Sequence, residues 1–504
     1  MINRFVCILF FLTAFSSYSQ EQANVIFFAV DDMNDWIGPM GHKGAKTPNL
    51  DRLAKMGVTF QNAHSPATYC APSRSSIFSG RYATTTGCYQ TQVYFHEHPE
   101  MTALQMNFKK AGYKTFGGGK LFHHREGFVD LRGWDEFFVR NEEQKKQGWP
   151  ANSWTPDTPL PPKIPASPYN EGKKISGGLF LEWAAIPNEK EEQMADTKRI
   201  NWACSVIEKK HDKPFFVGVG IYAPHFPNYV PQKYFDMYKR DEIILPPLKD
   251  DDLDDLPPKI KRSKENRKKA HHDKLVKMDL VEDAILGYMA SISYADAMLG
   301  RVLDSLEKSP NKDNTIIVFW SDHGYHHGQK GHWGKHSLWE RTSNVPFLWA
   351  GPGIAKNKSV DTTVSLIDMY PSFNELCNLP KEQGLDGRSL ASILEKPESA
   401  RDRNVFLPYL EPNSYAVINQ KYRYIHYADN TEEFYDLTKD PNEWNNSASN
   451  PEYKKVKQQM KDWAPKNHAE PGADKAARTL KLVLKGESFH WMNVSPKVSK
   501  KKRK

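Results

Sequence analysis

Acidic and basic side chains follow three apolar stretches of the sequence. Asp31 and Asp32 close the first stretch, His225 follows the second, and Asp322 with His323 follows the third. The stretches cover residues 24–30, 215–221 and 315–320, and their β-prone composition predicts strands buried on both faces. Because the carboxyl ends of parallel strands meet at one edge of a sheet, these side chains are predicted to lie together. Adjacent buried acids are costly unless paired or metal-bound, which indicates a divalent cation site, with helix N-capping as the alternative.

A cysteine with unusual surroundings lies between the first two stretches. Cys70 begins the pattern Cys-x-Pro-Ser-Arg, which ends at Arg74, and residues 73–79 are predicted to start a helix. A thiol near an arginine and the positive N-terminus of a helix is typical of an activated nucleophile. A buried cysteine beside a turn proline is the alternative interpretation.

Two further segments contain basic side chains that could take part in chemistry. Residues 112–123 contain a run of three glycines and then Lys120 and His123, so the backbone there is predicted to approach a ligand closely. A flexible glycine loop with a surface lysine is the alternative. Lys335 lies in a histidine-rich segment shortly after His323. His225, between two prolines, could also be a structural histidine.

Several elements are predicted to hold these residues in place. Residues 278–306 have the apolar spacing of a long amphipathic helix packed on a sheet, and Thr47 with Pro48 begins a shorter helix. Further elements are expected at 345–350 (strand), 365–376 (helix), and 415–418, 422–427 and 431–436 (short antiparallel strands). The prediction is an α/β chain with a large, mostly parallel mixed sheet flanked by helices and a smaller antiparallel C-terminal sheet.

Two segments are expected to lie outside this framework. Residues 141–175 are rich in Pro, Asn, Gly and charged residues, which predicts a long surface loop that could shape a substrate cleft. Residues 249–275 carry an acidic run followed by a basic run. We expect this second segment to be a solvated, mobile excursion and not a binding site.

Composition and the N-terminal segment indicate an exported globular protein. The chain has 504 residues, of which 39% are hydrophobic and 26% charged. Residues 1–19 combine Arg4, a short apolar run and small residues at 17 and 19, as in a secretory signal, and no later segment is predicted to span a membrane. We therefore expect a periplasmic or secreted protein with a catalytic domain at 20–400 and a smaller subdomain at 401–504.

The net charge of +8 suits a polyanionic substrate. Part of it comes from the tail 500–504, which is predicted to be disordered. Nucleic-acid binding is the competing interpretation of a basic tail. Export and the lack of a nucleic-acid-binding motif argue against it.

The motifs together resemble those of type I sulfatases. Cys-x-Pro-Ser-Arg at 70–74, Gly-Lys-x-x-His ending at His123, and the segment 434–443 match that family in its order along the chain. Pro-His-x-Pro around His225 and the pair Asp322-His323 resemble the iduronate-2-sulfatase-like branch. The resemblance implies the alkaline-phosphatase-like fold and a bacterial polysaccharide sulfatase. Gly118 departs mildly from the pattern, which usually has a small side chain there.

The resemblance also implies roles for individual residues. A maturation enzyme would convert Cys70 to formylglycine, whose hydrated form attacks the sulfur of a sulfate ester. Asp31, Asp32, Asp322 and His323 would bind Ca²⁺ together with the modified residue 70, although His323 could instead contact the sulfate, since Ca²⁺ prefers oxygen ligands. Arg74, Lys120 and Lys335 would hold the anionic ester, His123 would take the second proton, and His225 would protonate the leaving group.

The resemblance favours a sulfated poly- or oligosaccharide that contains a uronic acid, as in ulvan or glycosaminoglycans. Trp333, His336 and Trp339 either line a sugar subsite or pack internally. A phosphomonoester or phosphonate hydrolase of the same superfamily and a non-catalytic polysaccharide-binding relative are the two rival functions. Of the cysteines at 7, 70, 88, 204 and 377, loss of the signal and modification of Cys70 leave three, which permits at most one disulfide.

Overall fold

The centre of the molecule is an eight-stranded sheet. The computed structural model describes residues 22–123, 126–138, 167–170, 181–473, 476–486 and 488–493. In chain order the strands of this sheet are β1 (Asn24–Asp31), β2 (Gly57–Phe60), β3 (Lys114–Gly119), β4 (Glu136–Phe138), β5 (Phe215–Pro224), β6 (Thr315–Ser321), β7 (Phe347–Ala350) and β8 (Lys358–Val360). Their spatial order is β8-β2-β7-β6-β1-β5-β3-β4.

All neighbouring strands of this sheet run parallel except at β7, which is antiparallel to both β2 and β6. β1, β5 and β6 are buried along their whole length, because helices cover both faces of the sheet. Their near-continuous apolar sequences are what such strands require. The predicted α/β architecture with a large, mostly parallel sheet is confirmed.

The longer helices are α1 (Pro48–Met56), α2 (Cys70–Ser79), α3 (Ala195–Ile207), α4 (Pro258–Arg267), α5 (Val281–Lys308), α6 (Met369–Leu376) and α7 (Lys454–Trp463). Most of them cover the faces of this sheet, and two of them, α4 and α7, pack on the C-terminal sheet described below. One core joins α3 and α5 to one face of the sheet, and a second joins α2 and α6 to the other. Shorter helices cover Ala83–Thr86, Tyr94–Glu97, Leu104–Lys110, Gln232–Phe235, Asp273–Lys277, Glu340–Ser343, Ala391–Glu395 and Ala476–Thr479.

A second sheet forms from the C-terminal part of the chain. Its four strands are β9 (Val405–Pro408), β10 (Tyr415–Ile418), β11 (Tyr422–His426) and β12 (Glu432–Asp436), which pair antiparallel in that order. One of its faces buries Leu338 and Trp339, which follow the main-sheet strand β6 in the sequence. Two-stranded sheets join Ala63–His64 to Val364–Ser365, Trp183–Ile186 to Asn228–Pro231, His326–His327 to Trp333–Gly334, and Leu480–Lys485 to Ser488–Asn493.

The prediction for residues 249–275 is wrong. α4, a π-helical turn at Lys268–His272 and the helix Asp273–Lys277 occupy most of this segment. Asp252, Leu256 and Lys264 are all buried. Leu253, Leu256 and Ile260 anchor the segment to the C-terminal sheet. Because most of the other residues are polar, the charge pattern did not indicate that the segment packs.

Other predictions differ less from the structure, and some concern residues that the structure does not describe. The glycine run approaches other protein groups: a Cβ on Gly119 would lie 2.0 Å from the carbonyl oxygen of Gly220, and one on Gly117 would meet Phe137. The predicted signal at 1–19, most of the loop 141–175 and the tail 500–504 lie outside the described residues. Cys70, Cys88, Cys204 and Cys377 are free thiols. No helix in the described part of the chain is long and apolar enough to cross a membrane.

Candidate active site

Four parallel strands bring the predicted residues to one edge of the main sheet. β1 ends at Asp31, β6 is followed by Asp322 and His323, β5 is followed by His225, and β3 is followed by Lys120. The register places Val30 opposite Ser321 and Asp31 opposite Pro224, so the strand ends are level. The chain turns sharply after β1, where Asp32 has a φ of 66°, a left-handed value that is costly for a residue with a side chain.

Cys70 lies at the first turn of α2 and faces this edge. Its Sγ is 3.1 Å from Lys335 Nζ, 3.1 Å from His323 Nε2 and 3.3 Å from Asp31 Oδ1. The side chain is fully buried. Burial and the Asp31 carboxylate raise the pKa of the thiol well above its usual value, despite the nearby Lys335 ammonium. The positive end of the helix therefore does not suffice to make this cysteine a thiolate at neutral pH.

Arg74 ties two of the carboxylates to the backbone of the site. Its Nε donates to Asp322 Oδ2 at 2.9 Å, and its guanidinium lies 3.5 Å from Asp31 Oδ1. The other donors of the fork reach the carbonyl oxygens of Val30 and Lys120. With every direction of its planar fork engaged, Arg74 is held rigidly although it is buried.

Asp31 and Asp32 each also pair with a lysine. Lys120 Nζ donates to Asp31 Oδ2 at 2.5 Å, and Lys335 Nζ donates to Asp32 Oδ1 at 2.7 Å. Burial acts to raise the pKa of Asp31, but the positive charges of Lys120, His225 and Arg74 outweigh it and hold this pKa well below the usual value. Three buried carboxylates thus face three buried or nearly buried cations, and the site carries balanced charge.

Two histidines point their Nε2 atoms at the carboxylates. His323 Nε2 lies 3.4 Å from Asp32 Oδ1, and its Nδ1 lies 3.0 Å from the carbonyl oxygen of Gly324. A carbonyl accepts only from N–H, so this contact assigns the proton to Nδ1 and leaves the Nε2 lone pair free for a cation in the neutral ring. His225 Nε2 lies 3.7 Å from Asp32 Oδ2, and its Nδ1 contacts the carbonyl of Phe226.

The donor atoms suit a hard divalent cation. Asp31, Cys70, Asp322 and His323 offer ligand atoms within 4.8 Å of one another, and so do Asp31, Asp32, Cys70 and His225. Three of the six residues in the combined set are aspartates, and carboxylate oxygens are the ligands that Ca²⁺ prefers. The ammonium groups of Lys120 and Lys335 contact the same oxygens that a cation would need, which is a further sign that these carboxylates attract positive charge.

His123 meets the cluster through a neighbour that the sequence did not single out. Its Nε2 is 3.2 Å from the hydroxyl of Tyr69, the residue before Cys70. Tyr222 was missed as well: its ring faces Lys120 Nζ at 4.5 Å. Both tyrosines adjoin predicted site residues in the sequence, and this adjacency is the one signal that could have identified them.

The three candidates for a sugar subsite separate in the structure. Trp333 is buried, and its Nε1 donates to His272 Nδ1 at 3.2 Å, so it packs internally. Trp339 is buried as well, and together with His336 it lines a cavity that also contains Lys264 and Arg267.

Comparison with solved structures defines the class of fold. The chain superimposes on a phosphonate monoester hydrolase of Agrobacterium radiobacter with a TM-score of 0.69 at 20% identity, covering 94% of this chain and 100% of that one. It superimposes with a TM-score of 0.65, also at 20% identity, on a protein solved in complex with its substrate D-glucosamine-2-N,6-O-disulfate, covering 88% of this chain and 96% of that one. This is the alkaline-phosphatase-like fold.

The sequence comparisons assign the family. The sulfatase family model matches residues 23–379, and the model for the C-terminal part of N-sulphoglucosamine sulphohydrolase matches residues 328–469. The chain therefore belongs to the sulfatase family and is a sulfuric ester hydrolase.

Three curated relatives show how far the similarity extends. A sulfatase of Formosa agariphila is 37% identical over 89% of this chain and 87% of its own length. An ulvan-active sulfatase of the same organism is 28% identical over 91% and 83%. Human iduronate 2-sulfatase is 28% identical over 77% of this chain and 70% of its own length.

Proposed function

We propose that the protein hydrolyses sulfate esters on a uronic-acid-containing poly- or oligosaccharide, with a formylglycine made from Cys70 and a bound Ca²⁺. The observation that carries this proposal is the convergence of Cys70, three aspartates and three cations at one sheet edge. A sulfate monoester carries one negative charge over its oxygens, and the positive charges of Arg74, Lys120 and Lys335 around residue 70 would stabilise it. The cation would neutralise further charge on the sulfate oxygens when bound.

The state of Cys70 supports conversion to formylglycine by a maturation enzyme. Burial raises the pKa of the thiol, so the unmodified side chain is a poor nucleophile at neutral pH. A hydrated aldehyde at this position carries two hydroxyls, of which one attacks sulfur and the other later loses its proton as sulfate is expelled. Lys335 and Arg74 then hold the attacking group in line with the ester, since both lie against residue 70 or its carboxylate neighbours.

The two histidines outside the carboxylate cluster supply the proton transfers in this proposal. His225 is the partly exposed member of the site, with 18% of its side chain accessible, and would protonate the departing alcohol. His123, whose Nε2 lies 3.2 Å from the hydroxyl of Tyr69, the residue before Cys70, would take the second proton. His323 would hold the cation, since its Nε2 lone pair faces the carboxylates.

Relatives and charge support the substrate class. The similar proteins include one named for activity on ulvan and one named for iduronate 2-sulfate hydrolysis. The net charge of +8 favours approach of a polyanion. We further propose export to the periplasm or medium on the strength of residues 1–19, and the division into a catalytic domain at 20–400 and a subdomain at 401–504.

Mass spectrometry and sulfate release test the proposal together. The Cys70 peptide of protein made with the maturation enzyme is expected to be lighter by about 18 Da, the difference between SH₂ and O. That protein is expected to release sulfate from uronic-acid-containing sulfated saccharides, and a chelator is expected to stop the release until Ca²⁺ is restored. Cys70→Ala is expected to lose turnover by at least about 10³-fold.

The rival on the same fold is a phosphonate or phosphomonoester hydrolase, as in the neighbour from Agrobacterium radiobacter. The substrate panel therefore includes a phosphonate monoester and a phosphate monoester. Faster turnover of either than of every sulfate ester would favour the rival. Full activity of Cys70→Ala would refute the nucleophile, and no sulfate release by fully modified protein would refute the function.

A further inference from the structure

A cavity of ≈ 250 Å³ is lined in part by His336, the residue that follows Lys335. One wall is α4, which contributes Ser263, Lys264 and Arg267, and the opposite wall contains His336, Trp339 and Tyr409. The volume corresponds to several water molecules and is open to solvent along the exposed side of α4. This cavity was not expected from the sequence, because the charges of α4 pointed to a solvated segment.

The cavity presents two basic side chains, Lys264 and Arg267, that lack acidic partners. Lys264 is buried, donates to the carbonyl oxygen of His336 at 3.2 Å and lies 4.9 Å above the Trp339 ring. Within the described residues, no carboxylate oxygen comes within 4.0 Å of Lys264 Nζ or of the Arg267 guanidinium. Burying a cation without a counter-charge is costly, and a bound anion would recover that cost.

Glu433, the acidic residue whose charge acts on Lys264, is already engaged by other donors. Glu433 accepts hydrogen bonds from Trp339 Nε1 at 2.7 Å, Tyr427 at 2.7 Å and Tyr435 at 2.6 Å. Three donors already share its two oxygens, so its charge is dispersed over the sheet side of Trp339. The cation pair in the cavity therefore remains open to an external anion.

His336 connects the cavity to the reacting centre. It follows Lys335, whose Nζ is 3.1 Å from Cys70 Sγ, and it has a left-handed φ of 65°. Its ring packs 4.9 Å from that of Tyr69, the neighbour of Cys70. His336, which is held in this costly backbone conformation, therefore forms a wall that the cavity shares with the candidate active site.

We propose that this cavity is a second anion subsite, in which Lys264 and Arg267 bind a carboxylate or a second sulfate on the saccharide whose sulfate ester is hydrolysed. The subsite rests on the proposed function, because its ligand is another acidic group of the same substrate. Arg267 offers a planar fork that matches either oxyanion, and Lys264 offers a point charge at the closed end. The site would select saccharides with a second acidic group adjoining the sulfated position.

Kinetics of matched variants test the subsite. Arg267→Gln and Lys264→Met remove the two charges, and Arg262→Gln and Lys259→Met make the same changes at exposed positions of α4. The probes are a sulfated disaccharide with a neighbouring uronic acid, its carboxyl-reduced form, a disaccharide with a second sulfate in place of the carboxylate, and an umbelliferyl sulfate with no second acid.

Each cavity variant is expected to raise KM for the diacidic substrates about tenfold, the effect of one lost charge-assisted hydrogen bond, with kcat nearly unchanged. The control variants should match the parent protein on every probe, and the carboxyl-reduced and umbelliferyl sulfates should not respond to any variant. A response confined to the uronic acid substrate identifies a carboxylate as the ligand, and one confined to the second sulfate identifies a sulfate. Unchanged KM throughout, or equal losses on all probes, overturns the subsite.

Calorimetry separates this inference from the proposed function. The uronic acid disaccharide is titrated into Cys70→Ala protein with and without Arg267→Gln, and binding is expected to weaken about tenfold. If the parent protein releases no sulfate but this difference persists, the function fails and the subsite stands. If sulfate is released but the affinity for the disaccharide is the same with and without Arg267→Gln, the proposed function stands and the subsite is refuted. If circular dichroism shows that Arg267→Gln does not fold, Arg267→Lys replaces it. This variant keeps the positive charge but lacks the planar guanidinium, so a smaller loss of affinity is expected.

Discussion

At the scale of single residues, the site is a balance of buried charges. Each aspartate has a cation of its own: Asp31 has Lys120, Asp32 has Lys335 and Asp322 has Arg74. The sequence indicated these residues because acids and bases are rare at the ends of apolar strands. It could not indicate Lys264, because nothing in a run of charged residues distinguishes a buried lysine from its solvated neighbours.

The burial of Lys264 predicts a pH-dependent stability. Burial, with a smaller contribution from Arg267, lowers the pKa of Lys264 to about 7, although Glu433 acts to raise it and Lys330 adds to the lowering. The unfolded chain binds this proton up to a pH near 10.5, so the parent protein gains stability as pH rises from about 7 towards that value. Relative to Lys264→Met, the gain should approach about 1.4 kcal/mol per pH unit.

Urea denaturation of the parent protein and Lys264→Met at about pH 6 and about pH 9 measures this difference. The variant should be the more stable protein at the lower pH, since it no longer buries a charge there. Two stability curves that run parallel across this range would show that Lys264 is solvated in the folded state.

At the scale of elements, the central strands of the main sheet could be predicted from the sequence, whereas some of the surrounding elements could not. The strands at β1, β5 and β6 were predicted to within a few residues, because a parallel sheet covered on both faces requires continuous apolar runs. α5 was predicted from its spacing and runs from Val281 to Lys308. β9 and α4 were missed, since their burial depends on contacts with distant parts of the chain.

A single carboxylate of α5 fixes the start of α1. Asp296 accepts hydrogen bonds from the backbone N–H groups of Asn49 at 3.1 Å and Leu50 at 2.7 Å, which have no partner within their own helix. Asp296→Ala leaves these donors buried and unpaired, so we expect the free energy of unfolding to fall by about 2–4 kcal/mol in urea denaturation.

Asp304→Ala is the matched control for this prediction. Asp304 also lies on α5 and bonds to Arg52 of α1 at 2.6 Å, but its side chain is 61% exposed. Exposed ion pairs contribute little, so this variant should lose less than about 1 kcal/mol. Equal losses in the two variants would contradict the capping role of Asp296.

At the scale of the whole molecule, the C-terminal sheet supports the loop that carries Lys335. Arg423 of β11 is buried, donates to the carbonyl oxygen of Leu338 at 2.7 Å and pairs with Glu443 at 2.5 Å. Leu338 and Trp339, three and four residues after Lys335, are covered by the same sheet. The short alternating strands in the sequence indicated a separate subdomain. The sequence could not show that this subdomain supports the loop that carries Lys335.

Removal of this sheet tests that support. A chain truncated after Ala400 would expose Leu338 and Trp339 and free the Lys335 loop, so we expect aggregation or at least a roughly hundredfold loss of sulfate release. If the truncated chain is insoluble, Arg423→Leu removes the contact to Leu338 while keeping the sheet, and a smaller loss is expected. A soluble truncated chain with formylglycine at position 70 and full turnover would refute the support.

The burial of Cys70 has a consequence for how the protein is made. No part of its side chain is accessible once α2 has packed beneath Lys335 and His323. If an enzyme converts this cysteine, it has to work on the growing polypeptide before the core closes. On that premise, a molecule that folds with its thiol intact could no longer be converted, and the fraction of active molecules in a preparation would be set before folding is complete.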